Sequence, residues 1–333
     1  MKKTFGLVIH GGAGVIVREK LSGEREVEYR AALEKARDAG YAVLAQGGSA
    51  LDAVVAAIRP MEDSPLFNAG KGAVFNADGR CELDASIMDG RTLGAGAIAG
   101  AQRIRNPITA ARAVMEKSPH VMFSGAGADR FAKELGLELV DNAYFQTQRR
   151  REELLKAKEK EKRERERKAA LGVKGPAFAT LDENDSLDRE FKWGTVGCVA
   201  LDQHGNLAAG TSTGGMTNKK FGRVGDAPII GAGTYAANAT CAVSATGHGE
   251  FFIRIGVARD IAAQMEYTGA SVVAAAESTL EKIARLGGDG GVICIDKDGN
   301  IAMPFNSPGM YRAFRLSNGT SAVAIFSDEK GGK

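Results

Sequence analysis

No apolar stretch in the sequence reaches the roughly 20 residues that a helix needs to span a bilayer. The N-terminal MKKTFGLVIHGGAG starts basic, but glycines break its apolar run too soon for a secretory h-region. Together these shortages set the expectation of a cytoplasmic protein. Cysteine is scarce: Cys81, Cys198, Cys241 and Cys294 stand alone in apolar surroundings, with no C-x-x-C pair and no histidine at ligand spacing. That excludes a disulfide framework or zinc site of the usual spacing and leaves four buried thiols. His10, His120, His204 and His248 are also scattered, which assigns them to packing or to the surface.

Glycine is abundant, at 43 of 333 residues, while 44% hydrophobic and 26% charged content are ordinary for a globular chain. The glycines imply tight turns and close backbone contacts. Gly94–Ala99 fits G-x-G-x-x-A, but Asn106-Pro107 rather than Ala99 opens the next helix. Lys71 sits between glycines as in a phosphate loop, yet Gly72 stands where Ser or Thr is required. Neither is a nucleotide site. The net charge of +3 has a single origin, since residues 149–168 hold eleven Lys/Arg and six Glu, a local +5 that leaves −2 for the rest. Interleaved acids and missing aromatics argue against nucleic-acid binding by this run, the non-enzymatic alternative, and favour a solvated linker.

Hydrophobic periodicity predicts a strand through TFGLVIHGG, a helix over Glu26–Leu44, and a second helix capped by Ser49. GAVFNADGRCELDASIMDG reads as a hairpin turning at Asn76–Gly79, and Pro107 opens a helix to Met115. Residues 146–188 form the charged, flexible linker. Beyond it, GTVGCVALD, NLAAGTSTGG, PIIGAGTYA and CAVSATG are strand-like. Helices follow at Phe251–Met265 and Ser271–Leu286, and GGVICIDKDGNIAMPFN closes the pattern. Strands enclosing helices in both halves predict an α/β protein forming a single domain over residues 1–333, layered as an αββα sandwich.

Thr195 follows the linker and Gly194 and opens the strand VGCVALD. A cut between Gly194 and Thr195 gives Thr195 a free α-amine, with a pKa of about 8, beside its own hydroxyl. One residue then supplies nucleophile and base, and glycine tolerates the backbone strain that attack on its carbonyl demands.

The chain resembles the plant-type L-asparaginase or isoaspartyl aminopeptidase family of N-terminal-nucleophile hydrolases. The resemblance runs through HGGAG (10–14), SPLFNAGKGAVF (64–75), LDASIMDG (83–90), AGAIAG (95–100), RNPITAARAVMEKSPHV (105–121), GTVG (194–197), STGGMTNKKFGRVGDAPIIGAG (212–233) and TGHGE (246–250). It implies self-cleavage into an α subunit, residues 1–194, and a β subunit, residues 195–333, that pair as (αβ)2. Thr195 is then the nucleophile, Thr213 its hydroxyl partner, and Thr246 with Gly247 the oxyanion hole. Arg223 and Asp226 would bind the α-carboxylate and α-ammonium of the substrate, with Gly249 allowing close approach and Asn68 nearby. Backbone carbonyls of Met61, Glu62, Ser64, Phe67, Ala69 and Lys71 would hold a structural sodium ion, and no catalytic cofactor is implied. The expected reaction is hydrolysis of L-asparagine and of β-aspartyl peptides. Glycosylasparaginases and threonine endopeptidases are the rivals; the former are usually disulfide-bonded, and the latter have no use for a clamp on free α groups.

Overall fold

The computed structural model describes residues 4–170 and 194–329. In the first half it contains β1 (Gly6–Gly14), α1 (Gly23–Ala45), α2 (Ala50–Glu62), β2 (Leu83–Asp89), β3 (Ala95–Ala101), α3 (Pro107–Lys117), β4 (Met122–Ser124), α4 (Gly125–Glu134) and α5 (Gln148–Ala170). The second half contributes β5 (Val196–Leu201), β6 (Leu207–Thr213), β7 (Thr234–Ala236), β8 (Cys241–Gly247), α6 (Gly249–Ile255), α7 (Val257–Thr268) and α8 (Val272–Arg285). It ends with β9 (Gly290–Asp296), β10 (Ile301–Ala302), β11 (Gly309–Leu316) and β12 (Ser321–Phe326).

Eight strands form one sheet in the order β12-β11-β1-β5-β6-β2-β3-β4, and four form a second in the order β10-β9-β8-β7. Alternation along the strands explains why both faces of the large sheet are apolar. Leu7 and Ile9 of β1 pack with α1 and α2, as do Val196 and Cys198 of β5. Val8 and Val199, one step along, pack instead against Ile293 and Ile295 of β9. The other face of β9 sends Val292 and Cys294 to α7 and α8. The architecture is therefore mixed α/β, with helices on sheets and sheet against sheet.

Local signals set the element ends. The Ser22 hydroxyl accepts the Arg25 N–H at 3.3 Å and Ser49 that of Asp52 at 3.1 Å, capping α1 and α2. Three expectations change. The helix read over Phe251–Met265 is two helices, because Gly256 takes φ +66 and ends α6 in a left-handed cap. The hairpin read over 72–90 shrinks to one bridge, Phe75 to Cys81, because Asn76 Oδ1 gathers the N–H groups of Asp78 and Arg80 and β2 pairs with β3 and β6 instead. Within PIIGAGTYA only Thr234–Ala236 is strand.

The charged run is also more than a solvated linker. Residues 148–170 form α5, whereas residues 171–188 of that expectation lie outside the described residues. Arg149 donates to the Leu66 carbonyl at 3.0 Å and the Tyr29 hydroxyl at 3.1 Å, and buried Arg150 donates to the Gly72 carbonyl at 2.9 Å. Leu154 packs with Phe75, Leu83 and Phe145. Further along, Glu161 pairs with Lys220 and accepts from Asn218 Nδ2 at 2.9 Å. Composition showed the charge but not which arginines the fold would bury. Arg150→Ala leaves the Gly72 carbonyl without its donor and should cost about 1–3 kcal/mol in urea unfolding. Arg163→Ala, on the exposed side, should stay within about 0.5 kcal/mol of wild type; equal effects would mean that α5 is not anchored through Arg150.

Candidate active site

The ends of β1, β6 and β8 meet the start of β5 at one place. Thr195 Oγ1 donates to Thr213 Oγ1 at 3.1 Å, and Thr213 Oγ1 also accepts the Gly215 N–H at 3.0 Å. Just before Thr195, Gly194 has φ +152, and a Cβ there would lie 2.8 Å from the Asn68 Cβ. Only glycine fits this backbone and this gap. The Gly194 carbonyl accepts the Asn68 N–H at 3.1 Å, so the carbonyl preceding the candidate nucleophile is oriented and polarised.

Asn68 itself is fixed on every polar side. Its Nδ2 donates to the Gly215 carbonyl at 2.8 Å, Oδ1 accepts the Val74 N–H at 2.9 Å, and its own carbonyl accepts the Gly214 N–H at 3.0 Å. From the opposite side comes the glycine pair of β1. Gly12, at φ +109, has room only for hydrogen, because a Cβ would stand 2.5 Å from the Gly194 Cα. The next residue, Ala13, donates its N–H to Thr246 Oγ1 at 3.3 Å. Accepting through oxygen leaves the Thr246 proton to donate elsewhere, as an oxyanion donor must. Gly247 follows at a point where a Cβ would meet the Asp289 carbonyl and the Phe252 ring, both at 2.6 Å.

Arg223, Asp226 and Gly249 also come together: a Cβ on Gly249 would lie 2.9 Å from both Arg223 Nη2 and Asp226 Oδ1. Burial pushes the Asp226 carboxyl up from an ordinary 3.8 to about 7, against the pull of the Arg223 guanidinium. Its Oδ2 is buried with no hydrogen-bond partner among the described residues. Such an oxygen calls for a donor, and a cationic one best. Sequence reasoning missed Glu250, whose carboxylate takes the Nε and Nη2 of Arg223 at 2.9 and 2.8 Å. Glu250 orients the guanidinium by one edge, and its place in TGHGE beside the candidate oxyanion hole was the available signal. Asp84, opposite Thr213 in the β2–β6 register, was also missed; its Oδ2 is likewise buried without a partner among the described residues, and its charge acts on both Arg223 and Asp226.

The loop from Met61 to Lys71 offers carbonyls rather than side chains. Gly70 and Gly72 turn it back on itself at φ +51 and +103, and a Cβ on Gly72 would stand 2.7 Å from the Phe67 carbonyl oxygen and 2.8 Å from that of Pro65. The Glu62 carbonyl already accepts the Lys71 N–H at 2.7 Å, and that of Met61 accepts the Ser64 N–H at 3.3 Å. For Ser64, Phe67, Ala69 and Lys71 the donor type is the one that suits a hard cation. All four cysteines are buried and free.

A family model described as asparaginase matches residues 2–325. An isoaspartyl peptidase of Escherichia coli is 52% identical over 324 residues, covering 97% of this chain and 96% of that protein. One from Salmonella typhimurium is 50% identical over 97% and 98%. A mouse protein named isoaspartyl peptidase/L-asparaginase is 42% identical over 91% of this chain and 86% of its own length. The chain belongs to the asparaginase family.

The raised Asp226 pKa has a consequence for stability. Between about 3.8 and about 7 the folded protein keeps a proton that the unfolded chain releases, so Asp226 makes the fold less stable as pH rises through that window. Asp226→Asn removes the titration. Its effect on the urea midpoint should be small near pH 4 and clearly stabilising at pH 8; an offset equal at both values would show that the carboxylate is ionised throughout.

Proposed function

We propose that this chain is the precursor of an amidohydrolase that cleaves its own Gly194–Thr195 bond and then hydrolyses L-asparagine and β-aspartyl (isoaspartyl) peptides. The observation that carries the reading is the Gly194 carbonyl, held by the Asn68 N–H directly before a threonine hydroxyl that is bonded to Thr213. In self-cleavage the Thr195 oxygen attacks the Gly194 carbonyl carbon, and the C–N bond breaks as the hydroxyl proton passes to the departing nitrogen. That step already leaves Thr195 with a free amine; water then hydrolyses the resulting ester, freeing the Gly194 carboxylate and restoring the Thr195 hydroxyl.

In the mature enzyme that amine takes the hydroxyl proton and Thr195 Oγ1 attacks the side-chain carbonyl of the substrate. Thr246 and Gly247 receive the negative charge that develops on oxygen, a contribution of about 2.7–4 kcal/mol per donor. Ammonia or a peptide amine leaves with the proton, and water releases aspartate from the acyl-enzyme. Arg223 takes the substrate α-carboxylate through the guanidinium edge that Glu250 leaves open, and the unpartnered Asp226 oxygen takes the α-ammonium. A clamp for both free α groups favours this specificity over a glycosylasparaginase or a threonine endopeptidase. The names of the bacterial and mouse relatives agree with it.

The same reading includes the four-layer αββα sandwich, supported by three separate apolar cores in sequence from helices to sheet to sheet to helices. It also includes pairing of αβ units as (αβ)2, a sodium ion held by the 61–71 carbonyls, and a cytoplasmic location, for which four free thiols speak.

Wild-type protein should run as two bands on a denaturing gel, with the smaller beginning at Thr195, and Thr195→Ala should run as one inactive band. Full activity from an uncut wild type would overturn the mechanism. Among L-asparagine, a β-aspartyl dipeptide, its N-acetylated form and an α-aspartyl dipeptide, only the first two should be hydrolysed. Losing one partner of a desolvated charge pair costs about 2–5 kcal/mol, so Arg223→Ala should lower kcat/KM roughly 30- to 3000-fold. Equal turnover of the N-acetylated compound would remove the ammonium role from Asp226.

A further inference from the structure

A line of polar side chains runs through the mostly apolar space between the two sheets. His10, Ser244, Thr211, Thr234 and Ser86 are all fully buried there, on β1, β8, β6, β7 and β2. His10 Nδ1 is 3.0 Å from the Thr195 carbonyl oxygen, and its Nε2 is 3.0 Å from Ser244 Oγ. From Ser244 Oγ the line continues to Thr211 Oγ1 at 2.6 Å and to Thr234 Oγ1 at a further 2.6 Å. Ser86 Oγ lies 2.8 Å from Thr234 Oγ1 and donates to the Ala227 carbonyl at 2.6 Å. The line therefore starts at the carbonyl of Thr195 and ends one residue after Asp226.

Hydrogen counting fixes its direction at the His10 end. A carbonyl only accepts, so His10 carries its proton on Nδ1. Burial lowers the imidazole pKa to about 3, so Nε2 is bare and accepts the Ser244 proton. Ser244, having given its one proton, accepts from Thr211, which accepts from Thr234. The Gly233 carbonyl, 3.0 Å from Thr211 Oγ1, competes for the Thr211 proton, and Ser86 gives its own to the Ala227 carbonyl. The second glycine of GTVG makes room for this: a Cβ on Gly197 would stand 2.0 Å from Ser244 Oγ and 2.4 Å from His10 Nε2. Apolar residues of the same shape would fill the layer at little cost in stability, so packing alone gives no reason for a five-membered polar line.

We propose that His10 is a positioning residue for Thr195, itself held in place by the hydroxyl line through Ser244 and Thr211. The inference rests on Thr195 being the nucleophile. The bond is to the carbonyl of Thr195 itself, so it persists after cleavage at the preceding peptide. The His10 ring bonds to the carbonyl of Thr195 and to Ser244 rather than to the reacting hydroxyl, so it sets where the main chain of Thr195 stands.

The test measures self-cleavage rate, and kcat and KM of the mature enzyme on a β-aspartyl dipeptide, with thermal melting alongside. His10→Leu should lower kcat about tenfold or more, the equivalent of one lost hydrogen bond, with a smaller change in KM. His10→Asn, whose amide N–H stands near the Nδ1 position, should recover most of that loss, and His10→Gln, which reaches toward Nε2 instead, should not. Thr211→Val should impair catalysis by itself but add little to His10→Leu, because the line is already broken. Wild-type kcat in folded His10→Leu overturns the proposal, as do equal effects of Asn and Gln or full additivity with Thr211→Val. If His10→Leu does not fold, the Asn and Gln pair decides alone. Thr195→Ala, run in parallel, keeps the two readings apart: activity in that variant would sink the nucleophile assignment, whereas its loss beside an unaffected His10→Leu would sink only the positioning role.

Discussion

The pairing of β1 with β5 is the constraint on which the site depends. It sets His10 opposite Gly197 and carries the following glycines past Gly194, where no side chain on either strand would fit. Without that approach, Asn68 would have no carbonyl to hold and Ala13 would not reach Thr246. The close packing of backbone on backbone explains why the glycines of the two motifs stand where they do. It also places a strained peptide, a hydroxyl and an N–H donor together before any ligand arrives.

The charges around Asp226 follow a different logic. Arg223 is held by Glu250 on one edge, whereas Asp226 and Asp84 each keep a buried oxygen without a partner among the described residues. A buried, unsatisfied carboxylate destabilises the fold, and the raised pKa of Asp226 is the measure of that strain. A zwitterion bringing an ammonium and a carboxylate would satisfy both sides at once. Binding free energy and folding free energy would then be set against each other at the same atoms.

Much of this was legible in the sequence where the signal lay in unusual strings of residues. Thr195, Thr213, Arg223, Asp226 and Gly249 were read from such strings, and the structure brings them into two adjoining groups. What escaped depended on partners far apart in the chain. His10 was read as a packing or surface histidine, since nothing near it in sequence shows a bond to Thr195, 185 residues away. Arg150 looked like one more charge in a solvated run, because composition does not reveal which face of a helix is buried. Glu250 was overlooked for a similar reason: its role is defined by Arg223, 27 residues earlier. The break at Gly256 turned on a single left-handed residue within an otherwise continuous helical pattern.

The strand order of the large sheet has a topological consequence. A cut at Gly194–Thr195 assigns β1 through β4 to one fragment and β5 through β12 to the other, yet β1 lies between β11 and β5, and β2 is bound to β6. The fragments are interleaved, so pulling them apart means unzipping three strand interfaces within one sheet. Such a nick would leave the strand pairing in place, but it would turn refolding from a unimolecular search into an encounter between two chains. Processing would therefore act as a ratchet: the continuous chain can find its fold unaided, whereas the cut one persists chiefly because it is slow to leave it.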